Sequence, residues 1–197
     1  MTRYRIPTDT GTALKEPCLS FALLPIDIVG IYDYYDNVQI ILLGGNEMQG
    51  VIKAVCISEK KGTEKHPVTS AHLTAAHGID GDAHAGPWHR QVSLLCYEKV
   101  EEFNRRGANV TDGAFGENLL VSGIDFRTLP IGTVFETDNV KLRLTQIGKE
   151  CHSHCAIYHR VGTCIMPHEG VFAEVLTAGD IKPGDIMTVT LPVDREE

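Results

Sequence analysis

The stretch GTVFETDNVKLRLTQ, residues 132–146, decides the fold class. Apolar and polar residues alternate from Val140 to Thr145, so the apolar side chains share one face, as a half-buried strand requires. Gly132 to Thr137 has the pattern of a second strand, and Asp138-Asn139 suits a two-residue hairpin turn because both residue types tolerate positive φ. The stretch therefore predicts two antiparallel strands joined by a tight turn.

The short-strand pattern continues on both sides of this hairpin. Further strands are predicted at Val51 to Ser58, Gln91 to Cys96, Asn118 to Ser122, Val171 to Leu176 and Ile186 to Leu191. A helix is indicated at Tyr97 to Gly107, where apolar residues recur at helical spacing and Gly107 suits the left-handed position after the last turn. Many closely spaced strands and one clear helix predict a mainly β, barrel-like fold with a few small helices.

Composition excludes several classes of protein. The chain has 197 residues, of which 43% are hydrophobic and 22% charged, which places it outside the disordered, collagenous and membrane classes. Its formal net charge of -8 argues against nucleic-acid binding, which needs a basic face, so an anionic ligand requires a local cluster of donors. Six cysteines without a secretory signal or a membrane span predict free thiols in a reducing cytoplasm.

The first fifty residues differ from the rest of the chain. They hold two apolar stretches without a clear amphipathic period, and Gly44-Gly45-Asn46-Glu47 back-translates to a purine-rich tract that resembles a bacterial ribosome-binding site before Met48. We therefore expect residues 1–50 to be an extension, with Met48 as the natural initiator. The recognisable domain is expected at residues 51–192, followed by a charged tail at residues 193–197.

The segment from Gly148 to Arg160 is the richest in chemistry. Cys151 follows Lys149 by two residues and precedes His152, and a nearby cation favours the thiolate, which is the form that attacks or binds metal. Cys151 is therefore the candidate reactive residue, able to carry a persulfide or to ligate a soft metal. The alternative at this point is a set of buried, inert thiols.

A structural metal site is the second interpretation of the same segment. Cys151 and Cys155, with Cys164 and His168, supply four nitrogen and sulfur ligands, and tetrahedral zinc accepts such a set. Neither pair has the tight spacing of a zinc knuckle, so this reading ranks below the reactive cysteine.

Two glycine-rich clusters precede that segment. In the first, residues 78–90, His84, His89 and Arg90 can donate to an anion, or the cluster is a turn-rich connection whose aspartates cap backbone amides. In the second, residues 113–118, Glu117 and Asn118 line a pocket or tie down a loop. The chain contains no phosphate-binding loop, dinucleotide fingerprint or serine nucleophile elbow.

Taken in order, these clusters resemble the MOSC domain family, named for the C-terminal domain of molybdenum cofactor sulfurases. The matching pieces are GDAHAG (81–86), RQVSLL (90–95), FGENL (115–119), IGT (131–133), LTQ (144–146) before Cys151, and VFAEV (171–175) before PGD (183–185). The resemblance covers about Val51 to Leu191, as a stand-alone member. Relatives often have a Pro-Arg pair shortly before the cysteine, where this chain has Ile147-Gly148-Lys149-Glu150.

The resemblance implies a barrel-like fold and a molybdenum-cofactor-associated sulfur carrier or cofactor-binding protein. Cys151 would accept sulfur as a persulfide or contact the metal, and His84, Arg90, Asn118 and Lys149 would contribute to binding the molybdenum cofactor. No pyridoxal phosphate domain is evident, so the implied partners are a separate cysteine desulfurase or enzymes of cofactor assembly. The competing interpretations are a non-catalytic cofactor-binding module with a structural Cys/His zinc site, and a molybdenum-dependent reductase of N-hydroxylated compounds.

Overall fold

The hairpin at residues 134–147 forms where the sequence predicts it. The structure is a computed structural model and describes residues 48–150 and 156–193. Phe135 and Leu142 lie opposite each other in the antiparallel pair, and the Thr137 amide donates to the Val140 carbonyl at 2.9 Å. The expectation of positive φ in the turn is wrong, because Asp138 and Asn139 both lie outside that region. Thr137 Oγ1 accepts the Val140 amide at 3.1 Å and so supports an ordinary right-handed turn.

Strands dominate the described residues. The strands are β1 (Met48–Ile57), β2 (His66–Val68), β3 (Ala71–Thr74), β4 (Gly78–Ile79), β5 (Val92–Cys96), β6 (Leu119–Ser122), β7 (Val134–Glu136), β8 (Lys141–Ile147), β9 (Val171–Thr177), β10 (Gly179–Ile181) and β11 (Ile186–Thr190). The helices are α1 (Tyr97–Arg105), α2 (Ala156–Val161) and α3 (Met166–Glu169), with a 3-10 turn at Phe126–Thr128. The mainly β prediction with a few small helices is confirmed.

In the described part of the chain, seven strands close into a barrel. Their order is β1, β11, β7, β8, β9, β5 and β6, and β6 pairs with β1 again to complete the ring. Strands β5 and β6 run parallel, joined through α1, and the other neighbours in the ring are antiparallel. A small second sheet has the order β10, β3, β4.

A bulge in β1 sets which side chains enter the barrel. Ile52 lies opposite Val121 but Ala54 lies opposite Leu120, so Lys53 is an extra residue in the ladder. Ile52 therefore belongs to the interior core while Ala54 belongs to a second core on the outer face of the sheet.

The second core lies between the sheet and the helices. Helix α1 buries Val100 and Phe103 there, as its apolar spacing predicts. The helix ends before Gly107, whose φ of 90° is the left-handed conformation that the sequence predicts for it. Phe172 at the start of β9 belongs to the same core, so this face of the barrel is covered close to the candidate site. None of the described helices is long and apolar enough to cross a membrane.

Candidate functional site

The loop before β5 and the segment after β8 are joined by side-chain hydrogen bonds. His89 Nε2 and Gln146 Oε1 lie 3.0 Å apart, and Gln146 Nε2 donates to the Gly148 carbonyl at 2.7 Å. Thr145 Oγ1 lies within hydrogen-bonding distance of the carbonyls of His89 and Phe172. The first glycine-rich cluster and the residues leading to Cys151 therefore form one continuous site.

Arg90 is held between two aromatic rings at this site. Its guanidinium carbon lies 4.9 Å from the centre of the Trp88 ring and 5.6 Å from that of Phe172. The buried Nε has no hydrogen-bond partner among the described residues. A buried donor without a partner is costly, and a guanidinium presents its donors in a planar fork that matches an oxyanion. Arg90 is thus fixed in place with an unused donor, as a site for an anionic ligand requires.

The backbone is fixed immediately before the reactive segment. The Gly148 amide donates to the Gly170 carbonyl at 2.7 Å, and the Lys149 amide donates to the Pro167 carbonyl at 3.2 Å. Gly148 has a φ of 69°, and a Cβ there would lie 2.5 Å from the Pro167 oxygen, so a side chain at this position is excluded. Half-buried Lys149 is therefore held against α3. Cys151 and Cys155 lie outside the described residues.

His84 lies above a buried ion pair. Lys65 and Asp82 pair through Nζ and Oδ2, and their side chains are 1% and 0% exposed. Asp82 also accepts the amides of Ser58 at 3.0 Å and His84 at 2.9 Å. The His84 ring places Nδ1 3.4 Å from Lys65 Nζ and 3.5 Å from Asp82 Oδ1, and its side chain is 36% exposed.

Burial and hydrogen bonding shift the pKa values of this pair. Burial lowers the pKa of Lys65, and the hydrogen bond and charge of Asp82 offset only part of that effect. For Asp82, burial acts to raise the pKa, but the hydrogen bonds from Lys65 and from the backbone amides of His84 and Ser58 outweigh it and hold the pKa well below its usual range. Asp82 is therefore an ionised acceptor at neutral pH.

The second glycine-rich cluster is tied down from within. Glu117 accepts the amides of Gly113 at 2.6 Å and Phe115 at 3.0 Å, and it is fully buried. Burial raises its pKa to about 7. Of the two sequence-based alternatives for this carboxylate, the structure shows the backbone-bonded one.

Asn118 connects three strands. Its Oδ1 accepts from the amide and hydroxyl of Ser93, and its Nδ2 donates to the Cys56 carbonyl at 3.0 Å. The residue is only 1% exposed. The structure thus brings Arg90 and Lys149 to the joined segments and places His84 on the same loop, while Asn118 lies inside the sheet. Its assignment as a cofactor ligand stays a prediction.

Two cysteines of the described residues, Cys56 and Cys96, are buried in the sheet. Burial raises the pKa values of Cys56 and Cys96 to about 12, so neither thiol is a nucleophile at neutral pH. Cys164 packs against the helix-side core, and His168 is exposed on α3. Within residues 48–150 and 156–193, no three His, Cys, Asp or Glu side chains are grouped to hold a metal ion. The four-ligand zinc set stays a prediction, since two of its members are not among those residues.

Lys65 is the residue that the sequence analysis missed. It lies in the polar stretch KKGTEKHP, residues 60–67, where nothing in the local pattern separates a buried lysine from its exposed neighbours. Its amide donates to the Gly113 carbonyl at 2.9 Å, and a Cβ on Gly113 would lie 2.2 Å from the Lys65 oxygen. Glycine at position 113 is thus the nearest available signal, because it marks a close backbone approach.

Comparisons with known proteins agree with this architecture. The family model described as the MOSC domain matches residues 80–188. The crystal structure of the YUAD protein from Bacillus subtilis superposes with a TM-score of 0.63 at 17% identity, covering 75% of this chain and 98% of that one. YiiM from Escherichia coli gives a TM-score of 0.54 at 18% identity, with 75% and 72% covered.

A second YiiM structure, from Geobacillus stearothermophilus, gives a TM-score of 0.55 at 19% identity, with 72% of this chain and 75% of that one covered. At these identities the similarity to solved structures extends to the fold alone. No curated protein matches the chain.

Proposed function

Because this chain belongs to the MOSC domain family, we propose that it binds the molybdenum cofactor and uses Cys151 as a sulfur carrier or metal ligand. The observation that carries this proposal is Arg90, whose guanidinium is held between two rings with a buried, unpartnered Nε among the described residues. The cofactor is a phosphate-bearing anion, and an acidic chain needs a built local donor set to hold one. These residues fit the group.

The proposed binding residues have different tasks. Arg90 supplies a planar, permanently charged fork for an oxyanion, and the aromatic rings keep the fork in one orientation. Lys149 supplies a second positive charge on a backbone that is fixed by Gly170 and Pro167. It also stands where relatives often have a Pro-Arg pair, and a cation two residues from Cys151 favours its thiolate.

Cys151 is proposed to accept sulfur by thiol exchange. Its thiolate attacks the terminal sulfur of a donor persulfide, a new sulfur–sulfur bond forms on Cys151, and the donor leaves as a thiolate, so no external oxidant or reductant is needed. A cysteine desulfurase is the proposed donor. When bound, the cofactor would supply a molybdenum centre that a cysteine sulfur can ligate.

The first test concerns the cysteine. We propose anaerobic purification of the wild-type chain, Cys151→Ala and the matched control Cys164→Ala from the native host, followed by mass spectrometry and metal analysis. The expected result is persulfide or molybdenum on the wild type and on Cys164→Ala, with loss of both in Cys151→Ala at unchanged folding. Retention of both by Cys151→Ala overturns the proposal.

The same samples examine the zinc alternative. A four-ligand site would hold one zinc per chain and lose it in both variants, because each removes one ligand. Zinc in the wild type that is lost from Cys151→Ala and Cys164→Ala alike, without persulfide or molybdenum, would replace the sulfur-carrier assignment by the structural-metal one.

The second test concerns Arg90. Replacing it by lysine keeps one positive charge but removes the planar fork, and a charge-assisted hydrogen bond contributes about 1.5–3 kcal/mol. We therefore expect the cofactor content of Arg90→Lys, measured as extracted pterin per chain, to be lower than that of the wild type by a factor of at least about ten. Arg106→Lys is the control, since Arg106 lies directly after α1 and pairs with Glu102 at the protein surface. Equal pterin content in the Arg90 variant and the wild type would remove Arg90 from the site.

A further inference from the structure

The hydrogen bonds around Lys65 and Asp82 determine what the His84 ring can do. The two side chains form an ion pair with almost no exposure to water, and Nδ1 of His84 faces both of them. A neutral imidazole carries its proton on one nitrogen only, so Nδ1 either accepts from Lys65 or donates to Asp82. The choice decides whether the outer nitrogen, Nε2, is a donor or an acceptor.

Asp82 already has its donors. Its carboxylate accepts the Ser58 amide at 3.0 Å, the His84 amide at 2.9 Å and the Lys65 ammonium. A fourth donor from Nδ1 would add little. The separations of Nδ1 from Asp82 Oδ1, 3.5 Å, and from Lys65 Nζ, 3.4 Å, are nearly equal, so the balance of donors and acceptors decides between the two partners.

Lys65 has more hydrogen-bond donors than it has acceptors among the described residues. A lysine ammonium has three N–H donors, and its partners among the described residues are Asp82 Oδ2 and His84 Nδ1. If Nδ1 carried a proton, a buried ammonium would lose one of these two acceptors and would face an N–H group at 3.4 Å. Leaving a buried charged donor unpaired is the more costly arrangement. Glu117 and Cys56, the other titratable groups acting on Lys65, do not hydrogen bond its Nζ in the described part of the chain.

We propose that Lys65 and Asp82 are positioning residues that hold His84 as the Nε2–H tautomer, so that its exposed edge donates to the oxyanion that Arg90 binds. The exposed third of the ring is the edge away from Nδ1, because both groups beside Nδ1 are buried. The identity of the oxyanion rests on the proposed function, whereas the assignment of the His84 tautomer is independent of it.

The Trp88 side chain contacts both His84 and Arg90. Its Nε1 donates to the His84 carbonyl at 2.9 Å, and its ring lies against the Arg90 guanidinium at 4.9 Å. The Trp88 side chain therefore links the backbone of His84, a neutral donor, to the guanidinium of Arg90, a charged donor. This pair suits an anion with several acceptor oxygens, such as a phosphate group.

The tautomer is read directly in the ligand-free chain. Nitrogen-15 NMR of the imidazole rings at about pH 8, where neutral histidine dominates, should show the proton of His84 on Nε2. His72 is the internal control, because its Nδ1 lies 2.7 Å from Asp180 Oδ1 without a lysine beside it, so its proton is expected on Nδ1. A wild-type spectrum with the His84 proton on Nδ1, like His72, overturns the proposal.

Two variants separate the contributions of the pair. In Lys65→Met, Nδ1 loses its donor and should take the proton and donate to Asp82, while His72 is unchanged. In Asp82→Asn the lysine remains, so the Nε2–H tautomer should persist. A His84 tautomer that does not change in folded Lys65→Met contradicts the role of Lys65, and the wild-type measurement decides the tautomer even if that variant fails to fold.

The oxyanion half is tested with inorganic phosphate. Phosphate should shift the His84 Nε2 resonance in a saturable way, and Arg90→Lys should weaken that response about ten-fold, the size expected for loss of a charge-assisted bond. An unshifted Nε2 resonance refutes the donor role of His84. Because neither measurement involves Cys151, a negative result for persulfide or molybdenum refutes the proposed function without altering the tautomer result, and the reverse also holds.

Discussion

Glu117 should make the protein less stable as the pH rises from acid to neutral. The carboxyl is fully buried and its pKa is raised from 4.5 to about 7 by burial, with Asp112 adding to the effect and three backbone amides opposing it. Below pH 4.5 both the folded and the unfolded chain hold the proton. Between 4.5 and 7 the unfolded chain ionises first, so the free energy of unfolding falls, and above 7 the loss is complete.

The size of this loss follows from the pKa difference. The shift from 4.5 to 7 is 2.5 units, and each unit corresponds to about 1.4 kcal/mol, so the loss is about 3 kcal/mol. The measurement is urea denaturation of the wild type and Glu117→Gln at intervals from about pH 4.5 to about pH 8. In Glu117→Gln an amide N–H faces a backbone N–H, which lowers the free energy of unfolding by a roughly constant amount at every pH. The informative quantity is therefore how the difference in unfolding free energy between the wild type and the variant changes with pH.

The control is Glu98, whose pKa is lowered. Burial acts to raise it, but hydrogen bonds from Ser122, Cys96 and Gly123 outweigh that effect, so the stability that ionised Glu98 adds is gained below the ordinary glutamate pKa of 4.5 and stays constant at higher pH. Between about pH 5 and about pH 8 the difference between the wild type and Glu98→Gln should therefore stay nearly constant, while the difference for Glu117→Gln changes. If the difference between the wild type and Glu117→Gln stays constant across the range, the carboxyl is ionised in the folded protein and the reasoning on Glu117 is wrong.

Two further predictions concern stability near the site. Asp82→Ala strands the Lys65 ammonium in the interior and should lower the free energy of unfolding by about 3–5 kcal/mol in urea; a loss below about 1 kcal/mol would mean that Lys65 is uncharged or finds water. Gly113→Ala should lower the free energy of unfolding by at least about 1 kcal/mol more than Gly116→Ala does, as measured by thermal unfolding. Both glycines have positive φ, but only at Gly113 would the added Cβ meet a backbone oxygen, that of Lys65. Equal losses would show that the loop moves away from Lys65.

Structural features that depend only on residues adjacent in the sequence are predictable from the sequence. The alternation at residues 140–145 and the apolar spacing of α1 are visible within a few residues, and both elements form where expected. The strands β2, β3 and β4 have two to four residues each, too few for a period to appear, and they were missed. Their existence depends on partners supplied by β1 and β10.

Some residues of the candidate site are predictable from the sequence, and others depend on contacts made only in the folded protein. The sequence predicts Arg90 and His84 as donors because their donor chemistry is intrinsic to the residue type, and the structure places both on one loop. The burial of Lys65 depends on Asp82, seventeen residues away, and on the loop at Gly113. The exposure of a side chain is a property of the assembled fold, so a lysine among exposed lysines gave no local signal.

The closure of the barrel by β1 and β11 has a consequence for synthesis of the protein. Met48 pairs with Val189, so the first strand of the barrel remains without this neighbour until nearly the whole domain has left the ribosome. During that interval the nascent sheet is an open ribbon with unsatisfied edges at β1 and β7, the kind of surface that recruits other chains. A chain released before Ile186 would keep both edges permanently, and its fate would be aggregation or proteolysis.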